Sequence, residues 1–244
     1  MIETARGIIK HAQRLVSFSG AGLSAESGVG TFRDPDGLWA RYDPTRLASP
    51  AGFAEDPELV ISWYGDRRRR IARAAANPAH EALAARRDIV HVTQNVDNLL
   101  ERAGARDVIH LHGTIAADRC HARCGHREAI DLADPPPLRP CPACGDRLRP
   151  DVVWFGEPLP ADAWAAAERA CRECDALLVI GTSAVVYPAA GLIGLAESCG
   201  AGIVIVNKEP SGASELADVE LLGQAGAIVP QLLAPSASEY TAGL

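Results

Sequence analysis

Five short apolar runs recur along the chain, and each is followed by polar residues or glycine. They are RLVSF, DIVHVTQN, DVIHLHG, DALLVIGTS and GIVIVN. Alanine-rich stretches of helical length, such as ADAWAAAERACRE, separate them. This alternation predicts an α/β fold with a doubly wound, Rossmann-like parallel sheet. Because ligands bind beyond the carboxyl ends of the strands in such sheets, the five polar strand ends predict one shared site.

Two segments interrupt the alternation of strands and helices. Residues 36–75 carry bulky aromatic side chains without strand periodicity, which predicts a helical insertion. Residues 116–149 hold four cysteines but few large apolar residues, so a metal ion is expected to hold that segment together. The sequence therefore predicts a large domain and a smaller zinc-binding and helical domain inserted into it. The large domain would take residues 1–35, 76–115 and 150–235.

The composition excludes several classes of protein. A net charge of -7 gives no basic surface for non-specific nucleic-acid binding. The most apolar stretch, ALLVIGTSAVVYPAAGLIGLA, is broken by polar residues, glycine and proline, and so predicts strand, loop and helix instead of a membrane span. Charges scattered through MIETARGIIKHAQRLV predict an amphipathic helix and no secretion signal. We therefore expect a cytoplasmic protein, taken as a monomer, without nucleic-acid or membrane partners.

Seven cysteines without a secretion signal favour metal binding or packing over disulfides. Four of them form C-x3-C and C-x2-C pairs separated by sixteen residues: Cys120, Cys124, Cys141 and Cys144. Four thiolates would close the coordination sphere of one zinc ion, so the metal is expected to be structural. The first pair is one residue longer than usual, which leaves His121 and His126 as alternative ligands. We interpret Cys171, Cys174 and Cys199 as core packing.

The stretch GAGLSAESGVGTFR begins like a dinucleotide-binding turn and then departs from that pattern. Residues 20–25 fit G-x-G-x-x-G/A after an apolar strand. Gly28 and Gly30 would interrupt the long helix that normally follows, so a flexible loop is expected in its place. The acidic ribose-binding residue usual for such folds is missing, because Asp43 falls outside any strand pattern.

Polar side chains that could serve chemistry follow two of the predicted strands. Gln94, Asn95 and Asp97 offer two amides and a carboxylate, although Asp97 could equally cap the next helix. The run HLHG supplies His110 and His112, either of which could accept a proton near neutral pH. Because these histidines point to the same face of a strand, the residues alone leave the choice of base even.

Two further motifs have both a functional and a structural interpretation. Tyr64 and Arg67 in WYGDRRRR lie three residues apart, on one face of a helix, whereas residues 67–70 could also form a solvated basic face. The run RPDVVWFGE predicts a strand whose edge could pair with an extended peptide, or else an ordinary buried strand. The predicted peptide contacts are Val152, Val153, Trp154, Phe155, Gly156 and Glu157.

The chain resembles the sirtuin (Sir2-like) family of NAD-dependent protein deacylases from residue 20 to about residue 232. Seven motifs occur in the family's order: GAGLSAESGVGTFRDPDGLW, TQNVDNL, HLHG, the paired cysteines, RPDVVWFGE, GTSAVVYPAAGL and VNKEPS. The resemblance implies NAD+ as co-substrate, one structural zinc ion, and acyl-lysine proteins or peptides as substrates. The cofactor-binding residues it implies are Gly20, Ala21, Gly22, Ser24, Ala25, Glu26, Thr31, Phe32, Arg33, Trp39, Gln94, Asn95, Val96, Asp97, Gly181, Thr182, Ser183, Asn207, Lys208, Glu209 and Ala225.

The resemblance also implies a reaction. The acyl oxygen of a modified lysine attacks the ribose C1′ and nicotinamide leaves. His112, the imidazole before Gly113, then activates a ribose hydroxyl to attack the imidate, giving lysine and O-acyl-ADP-ribose. Asn95 is implied as the second catalytic residue, in the nicotinamide pocket.

The pair formed by Tyr64 and Arg67 resembles that of the bacterial and mitochondrial sirtuins which remove malonyl and succinyl groups. It implies that the two side chains bind the acyl carboxylate, giving desuccinylase and demalonylase activity beside deacetylation. Two other functions stand as alternatives: a mono-ADP-ribosyltransferase that uses the same cofactor bond, and a non-catalytic, zinc-containing NAD sensor.

Overall fold

The computed structural model describes residues 1–31 and 43–234 and contains two sheets. Its strands are β1 (Leu15–Ser19), β2 (Ile89–Thr93), β3 (Ile109–His110), β4 (Gly113–Cys120), β5 (Arg127–Ala129), β6 (Leu148–Val152), β7 (Ala176–Ile180), β8 (Gly202–Asn207) and β9 (Val219–Leu222). Six of them form a parallel sheet in the order β3-β2-β1-β7-β8-β9. The strand order reverses between β1 and β7, and such a reversal is the switch point at which parallel sheets of this type bind ligands. The carboxyl ends of β1, β2 and β7 lie together there.

Helices cover both faces of the parallel sheet, as the sequence predicts. The helices of the described residues are α1 (Ile2–His11), α2 (Gly22–Ala25), α3 (Pro44–Leu47), α4 (Pro50–Glu55), α5 (Pro57–Arg73), α6 (Pro78–Ala85), α7 (Leu99–Arg102), α8 (Ala161–Glu173), α9 (Gly191–Ser198) and α10 (Ala225–Leu233). Leu178 and Val204 pack towards α1, α6 and α10, whereas their neighbours Leu177 and Ile203 pack towards α8 and α9. Within residues 1–31 and 43–234, no helix combines the length and apolar character that a bilayer crossing requires.

Three helices in succession, α3 to α5, make up the described part of the predicted helical insertion. Each begins with an acidic or hydroxyl side chain that accepts from a backbone N–H of the first turn, followed by proline: Asp43, Ser49 and Asp56 provide these caps. Proline fits the first helical position because the N–H it lacks would have no helical partner there. The sequence therefore fixes where each helix starts.

The second sheet is antiparallel, with the order β5-β4-β6, and sequence analysis did not predict it. It carries the predicted zinc segment. The apolar cluster beside the cysteines is small, since Cys120, Cys141 and Leu148 are its buried members. So small a cluster cannot offset the entropy of ordering the segment, which agrees with the expectation that a metal holds it.

A buried ion pair joins α5 to this second sheet. Arg68 Nη2 lies 2.6 Å from Asp118 Oδ1, and the two side chains are 1% and 2% exposed. Arg68 also donates to the backbone carbonyls of Ile115 and Ala117. Arg67 and Arg68 are therefore buried, and the interpretation of residues 67–70 as one solvated basic face is wrong for these two. Removing one partner of such a pair leaves an uncompensated charge and costs about 3–5 kcal/mol.

Candidate active site

The turn after β1 packs against the turn after β7, backbone against backbone. Gly22 N donates to Gly181 O over 2.8 Å. A Cβ on Gly20 would lie 2.8 Å from Gly181 O, and one on Gly22 would lie 2.6 Å from Gly181 Cα. Only glycine tolerates this approach, so these glycines serve to bring two strand ends together. Helix α2 has only four residues and Gly28 follows at φ +80°, which confirms that no long helix continues the motif.

The end of β2 is cross-linked to the ends of β1 and β7. Asn95 is 6% exposed, and its Nδ2 donates to Gly20 O over 3.1 Å and to Ser24 Oγ over 3.2 Å. Gln94 Nε2 donates to Thr182 Oγ1 over 3.0 Å. The structure therefore brings together, at the switch point of the sheet, the predicted residues of three separate motifs.

A buried histidine that sequence analysis did not single out lies behind Ser24. His80 Nδ1 accepts from Asn77 N over 3.2 Å, and His80 Nε2 lies 3.4 Å from Ser24 Oγ. Because Nδ1 is an acceptor, the proton of the neutral ring sits on Nε2 and points to Ser24. Asn77 and His80 form the capping box of α6, so the helix start itself sets this tautomer. Burial lowers the pKa of His80 to about 4.

Acidification is expected to destabilise the protein through His80. Its folded pKa of about 4 lies below its usual value of 6.5, so the contribution of the neutral ring is complete above pH 6.5 and is lost as the pH falls towards 4. At pH 5 the loss amounts to about 2 kcal/mol. Urea midpoints at pH 7 and pH 5 would measure it.

A His80→Gln variant is the matched control for this pH effect. It should be less stable at pH 7 and should lose less on acidification, because glutamine does not titrate. His91, whose pKa burial also lowers, contributes equally to both proteins and cancels in the comparison. Equal loss of stability in the variant and the parent would contradict the assignment.

Asp97 follows Asn95 in the loop after β2. It is 7% exposed, and its Oδ1 accepts from Leu99 N over 3.1 Å at the start of α7. Asp97 therefore binds one backbone N–H at the start of α7, although the residue at the N-cap position is Asn98. Burial raises its pKa, against the effect of the Leu99 N–H, so this carboxyl is held in the wall of the site and away from bulk water.

His112 has the geometry of a neutral base. Its Nδ1 lies 2.9 Å from the carbonyl oxygen of Gln94. A carbonyl can only accept, so the ring proton is on Nδ1 and the lone pair is on Nε2. Burial lowers the pKa of His112, against the opposing effect of the Gln94 carbonyl, and this keeps the ring uncharged at neutral pH. The side chain can therefore accept a proton at Nε2.

His110 has both ring nitrogens engaged. Nδ1 lies 3.0 Å from the carbonyl of Asn95, and Nε2 lies 2.6 Å from Glu101 Oε1. Burial lowers the pKa of His110, but the Glu101 carboxylate outweighs burial and the net shift is upward. A charged ring with both nitrogens occupied is a poor base. The geometry thus selects His112, a choice that the residues alone left open.

The ends of β7 and β8 are tied together by Asn207. Its Oδ1 accepts from Thr182 N and its Nδ2 donates to Thr182 O, both over 3.0 Å. Three predicted cofactor residues lie exposed beside these ends: Ser183, Lys208 and Glu209. Glu26 Oε1 accepts from Gly226 N over 2.8 Å at the start of α10, next to Ala225. Ala21 precedes helix α2 and Ala25 ends it, and Val96 O accepts from Ile115 N. Three further predicted residues, Phe32, Arg33 and Trp39, lie outside the described residues.

Tyr64 and Arg67 lie together on the buried face of α5, 5% and 8% exposed. Tyr64 Oη lies 2.9 Å from Trp154 Nε1. The guanidinium carbon of Arg67 lies 5.0 Å from the ring centroid of Trp63. Burial raises the pKa of Tyr64 to about 12, so the phenol is neutral, and burial lowers the pKa of Arg67. A phenol and a desolvated cation side by side favour an anionic ligand group.

The predicted peptide-binding run is a strand for only part of its length. Strand β6 ends at Val152, at an edge of the second sheet, and the residues that follow form a turn. Val153 N donates to His112 O over 2.9 Å, and Phe155 N donates to Ala48 O over 2.8 Å. The prediction of a strand through Glu157 is therefore wrong beyond Val152, whereas the peptide contact of residues 152–157 stays a prediction.

The carboxylate of Glu157 is the centre of an ion cluster. It accepts from Arg149 Nη2 over 2.6 and 2.7 Å, and from Arg119 and Arg123 over 3.2 Å each. It also accepts from Trp154 N over 3.0 Å. The carboxylate of Glu157 is therefore bound by groups of this chain, next to the turn that was predicted to bind peptide.

The four paired cysteines lie together, with all their sulfur atoms within 4.8 Å of one another. Cys120 Sγ is 3.4 Å from Cys144 Sγ, and Cys124 Sγ is 3.6 Å from Cys141 Sγ. A tetrahedral zinc ion with Zn–S bonds of about 2.3 Å needs sulfur atoms about 3.8 Å apart, so the thiols fit such an ion.

The neighbouring histidines and the other cysteines have different surroundings. His121 packs on the ring of Phe53 at 5.0 Å and His126 Nε2 lies 3.2 Å from Glu128, so neither replaces a cysteine. Cys171 and Cys174 are buried, which confirms core packing. Cys199 is exposed at the end of helix α9, so the prediction of core packing is wrong for this residue.

Known proteins share this sequence and fold. The model of the Sir2 family matches residues 20–188. The NAD-dependent protein deacylase 1 of Pseudomonas aeruginosa is 51% identical over 241 residues, which cover 93% of this chain and 95% of the relative. The NAD-dependent protein deacylase of Ralstonia nicotianae is 50% identical over 236 residues, covering 94% of this chain and 95% of the relative.

Solved structures of Sir2 proteins match the fold as well. A mutant Sir2 homologue in complex with ADP-ribose has a TM-score of 0.92 at 43% identity, covering 96% of this chain and 95% of its own. A Sir2 homologue in complex with NAD has a TM-score of 0.88 at 44% identity, covering 95% and 92%. A Sir2 variant with a deacetylated p53 peptide and 3′-O-acetyl ADP-ribose has a TM-score of 0.85 at 28% identity, covering 95% and 97%. The chain therefore belongs to the Sir2 family.

Proposed function

We propose that the chain is an NAD-dependent protein-lysine deacylase that transfers the acyl group to ADP-ribose. The observation that carries the proposal is His112, whose Nδ1 is held by the Gln94 carbonyl so that the lone pair of Nε2 is available. Relatives named NAD-dependent protein deacylase support the activity, as does the Sir2 structure that holds a deacetylated peptide with an O-acetyl ADP-ribose. Acyl-lysine proteins or peptides are the partners that this activity requires.

The residues at the switch point suit NAD+. The ends of β1 and β7 meet there on glycine contacts that leave no room for a side chain, and the buried amide of Asn95 and carboxyl of Asp97 line the loop after β2. When bound, NAD+ supplies a ribose carbon that becomes electrophilic as its bond to nicotinamide weakens. Asn95 and Asp97 would orient the carboxamide and ribose hydroxyls, because amide and carboxyl groups match those donors and acceptors.

His112 would act on the ribose. Its Nε2 would take the proton of a ribose hydroxyl, and the proton on Nδ1 would stay on that nitrogen, donated to the Gln94 carbonyl. Because that hydrogen bond also favours the charged ring, the carbonyl would stabilise the imidazolium as it forms. His112 O accepts from Val153 N, so the base and the start of the predicted peptide contact are held by one strand connection.

For the acyl group we propose a charged one, malonyl or succinyl, bound by Tyr64 and Arg67. The two side chains share the buried face of α5, where a carboxylate would receive hydrogen bonds from a neutral phenol and a guanidinium. A charge-assisted hydrogen bond contributes about 1.5–3 kcal/mol, which corresponds to a preference of roughly 10- to 100-fold over acetyl. Arg67 would supply most of this difference, because acetyl offers it no charge.

Replacing Arg67 by methionine is expected to abolish the acyl preference. The ratio of kcat/KM for succinyl-lysine to that for acetyl-lysine peptide should fall roughly 10- to 100-fold. Methionine keeps the apolar stem of the side chain and removes the guanidinium charge. Arg70→Met is the control, since Arg70 is exposed on the same helix and should leave the ratio unchanged. An unchanged ratio in Arg67→Met would refute the assignment.

Mass spectrometry after incubation with NAD+ and acetyl-, malonyl- or succinyl-lysine peptides distinguishes the candidate functions. Deacylated peptide together with O-acyl-ADP-ribose supports the deacylase. ADP-ribosylated protein with intact acyl peptide would support a mono-ADP-ribosyltransferase instead, and unchanged NAD+ would support a sensor. The orientation of His112 favours the deacylase, because a sensor has no use for a desolvated base.

The four cysteines would hold one structural zinc ion, since four thiolates leave no open position. We further propose the two-domain division predicted from the sequence, which the separate second sheet supports. We also propose that the protein is cytoplasmic and monomeric. None of the seven cysteines, all of which lie in the described residues, forms a disulfide, which suits a reducing compartment.

A further inference from the structure

The hydroxyl of Tyr64 has a defined direction. Trp154 Nε1 lies 2.9 Å from Tyr64 Oη. An indole nitrogen can only donate, so the phenol oxygen accepts from it. The phenol is neutral, because its pKa is raised to about 12. Its own proton must therefore point away from Trp154, and it can be donated to a ligand.

Trp154 is itself held on several sides. It is 2% exposed, and its backbone N–H donates to Glu157 Oε2 over 3.0 Å. The guanidinium carbon of Arg149 lies 3.6 Å from the centroid of the indole ring. The ring of Phe53 packs against it at 5.3 Å, with an angle of 50° between the planes. An indole restrained in this way cannot rotate to release the phenol.

The restraint on Trp154 comes from the second sheet. Arg149 is 0% exposed, belongs to β6, and donates to Glu157 over 2.6 and 2.7 Å. Arg119, which precedes the metal-binding Cys120 in β4, donates to the same carboxylate over 3.2 Å. Glu157 thus ties the position of the indole to the cysteine-bearing sheet.

We infer that Trp154 is a positioning residue for acyl selectivity, which fixes the Tyr64 hydroxyl as a donor to the acyl carboxylate. The inference rests on the proposed acyl pocket of Tyr64 and Arg67. Orientation of that proton matters for malonyl and succinyl groups, which end in a carboxylate. It does not matter for acetyl, which ends in a methyl group. Trp154 therefore acts on selectivity through Tyr64, without touching the acyl group.

Trp154→Phe tests this role, because phenylalanine keeps an aromatic face for Arg149 and loses the N–H donor. We expect kcat/KM for succinyl peptide to fall about threefold to tenfold, mainly through KM, the range expected for one neutral hydrogen bond. The value for acetyl peptide should stay within about twofold. Trp164→Phe is the matched control and should change neither value, because Trp164 lies on α8 and packs against the parallel sheet, in a different apolar cluster from Trp154.

The second arm repeats Trp154→Phe in a Tyr64→Phe background. There it should leave the ratio of succinyl to acetyl kcat/KM unchanged, because no hydroxyl remains to be oriented. An equal fall for both peptides in the single variant would show a merely structural role and overturn the inference. A selectivity loss of the same size without the Tyr64 hydroxyl would overturn it too.

The Arg67→Met assay separates this inference from the proposal beneath it. If the parent enzyme prefers succinyl, Arg67→Met abolishes the preference, and Trp154→Phe keeps it, only the role of Trp154 fails. If the parent shows no preference for succinyl and Arg67→Met changes nothing, the acyl pocket and the inference fail together. The indole N–H resonance in NMR spectra gives a readout without turnover. The Trp154 signal, assigned by its loss in Trp154→Phe, should shift on binding succinyl peptide more than on binding acetyl peptide.

Discussion

His112→Ala is expected to lower kcat/KM for deacylation about 10²- to 10⁴-fold, the loss that follows removal of a positioned general base. The structure gives the reason. The Gln94 carbonyl holds the proton on Nδ1, so Nε2 is the basic nitrogen, and burial keeps the pKa of the ring below its usual value. Alanine offers no group that could take the proton of a ribose hydroxyl. The measurement is peptide deacylation at saturating NAD+ by mass spectrometry.

The proposed order of steps predicts that His112→Ala impairs only the step after nicotinamide release. His112 acts after nicotinamide has left, so exchange of labelled nicotinamide into NAD+ should persist in His112→Ala while deacylation is lost. His11→Asn, an exposed histidine at the end of α1, is the control and should retain both activities. If exchange and deacylation fell together by the same factor, His112 would serve binding or folding, and the proposed base would be wrong.

The pH dependence follows from the same contact. Because the pKa of His112 is lowered, the parent enzyme should stay active as the pH falls to 6.5 and lose activity only below it, where Nε2 becomes protonated. His110 would predict a different profile, since Glu101 raises its pKa and would place the acid limb above 6.5. An acid limb above 6.5 would therefore argue for His110.

The parallel sheet could be predicted because its central strands β1, β7 and β8 are buried on both sides. Residues 176–180 and 202–207 are nearly continuous apolar runs, and such runs stand out in a sequence. Strand β9 could not be found in this way. It has four residues at the edge of the sheet, and Glu220 interrupts its apolar pattern.

The second sheet was not predicted from the sequence because its strands contain buried charged residues. In β4 the side chain of Asp118 is buried because Arg68 pairs with it, and in β6 Arg149 is buried against Glu157 and Trp154. A periodicity search treats these residues as solvent-facing, so β4 was not predicted, and β6 was predicted only as the isolated run RPDVVWFGE without its partner strands. Their partners lie far away in the chain, and only the folded structure brings them together.

The candidate site was also predicted only in part from the sequence. The motifs placed Asn95, Asp97 and His112 at strand ends, but they could not rank His112 above His110, because the ranking depends on Glu101 and on two backbone carbonyls. His80 escaped notice because its contact with Ser24 spans 56 positions of the chain. Asn-Pro followed by histidine at the third helical position is the local signal that could have indicated a capping box.

Loss of zinc is expected to unfold the second sheet and to abolish deacylation. The buried cluster beside the four thiols contains only Cys120, Cys141 and Leu148, so little apolar burial offsets the entropy of ordering the segment. Structural zinc sites contribute about 10–16 kcal/mol in small metal-dependent domains, far more than such a cluster provides. Cys141→Ser, which removes one ligand, should therefore bind little zinc and lose hydrogen-exchange protection over residues 116–149.

Deacylation should be lost together with this protection, because the second sheet positions the site. Arg119 and Arg149 bind Glu157, and Arg68 binds Asp118, so unfolding the sheet frees both the turn after β6 and helix α5. The parallel sheet has its own clusters on both faces and should keep its protection. Cys199→Ser, an exposed thiol outside the cluster, is the control and should retain zinc, protection and activity.

Chelation provides the reversible form of this experiment. Removing zinc from the unmodified protein should reproduce the loss of protection in residues 116–149, and adding zinc back should restore protection and deacylation together, because folding and metal binding of the segment are one equilibrium. The prediction is wrong if the zinc-free protein keeps protected amides in β4 and β6, since the ion cluster around Glu157 would then hold the sheet without metal. Recovery of protection without recovery of activity would show that the second sheet does not position the site.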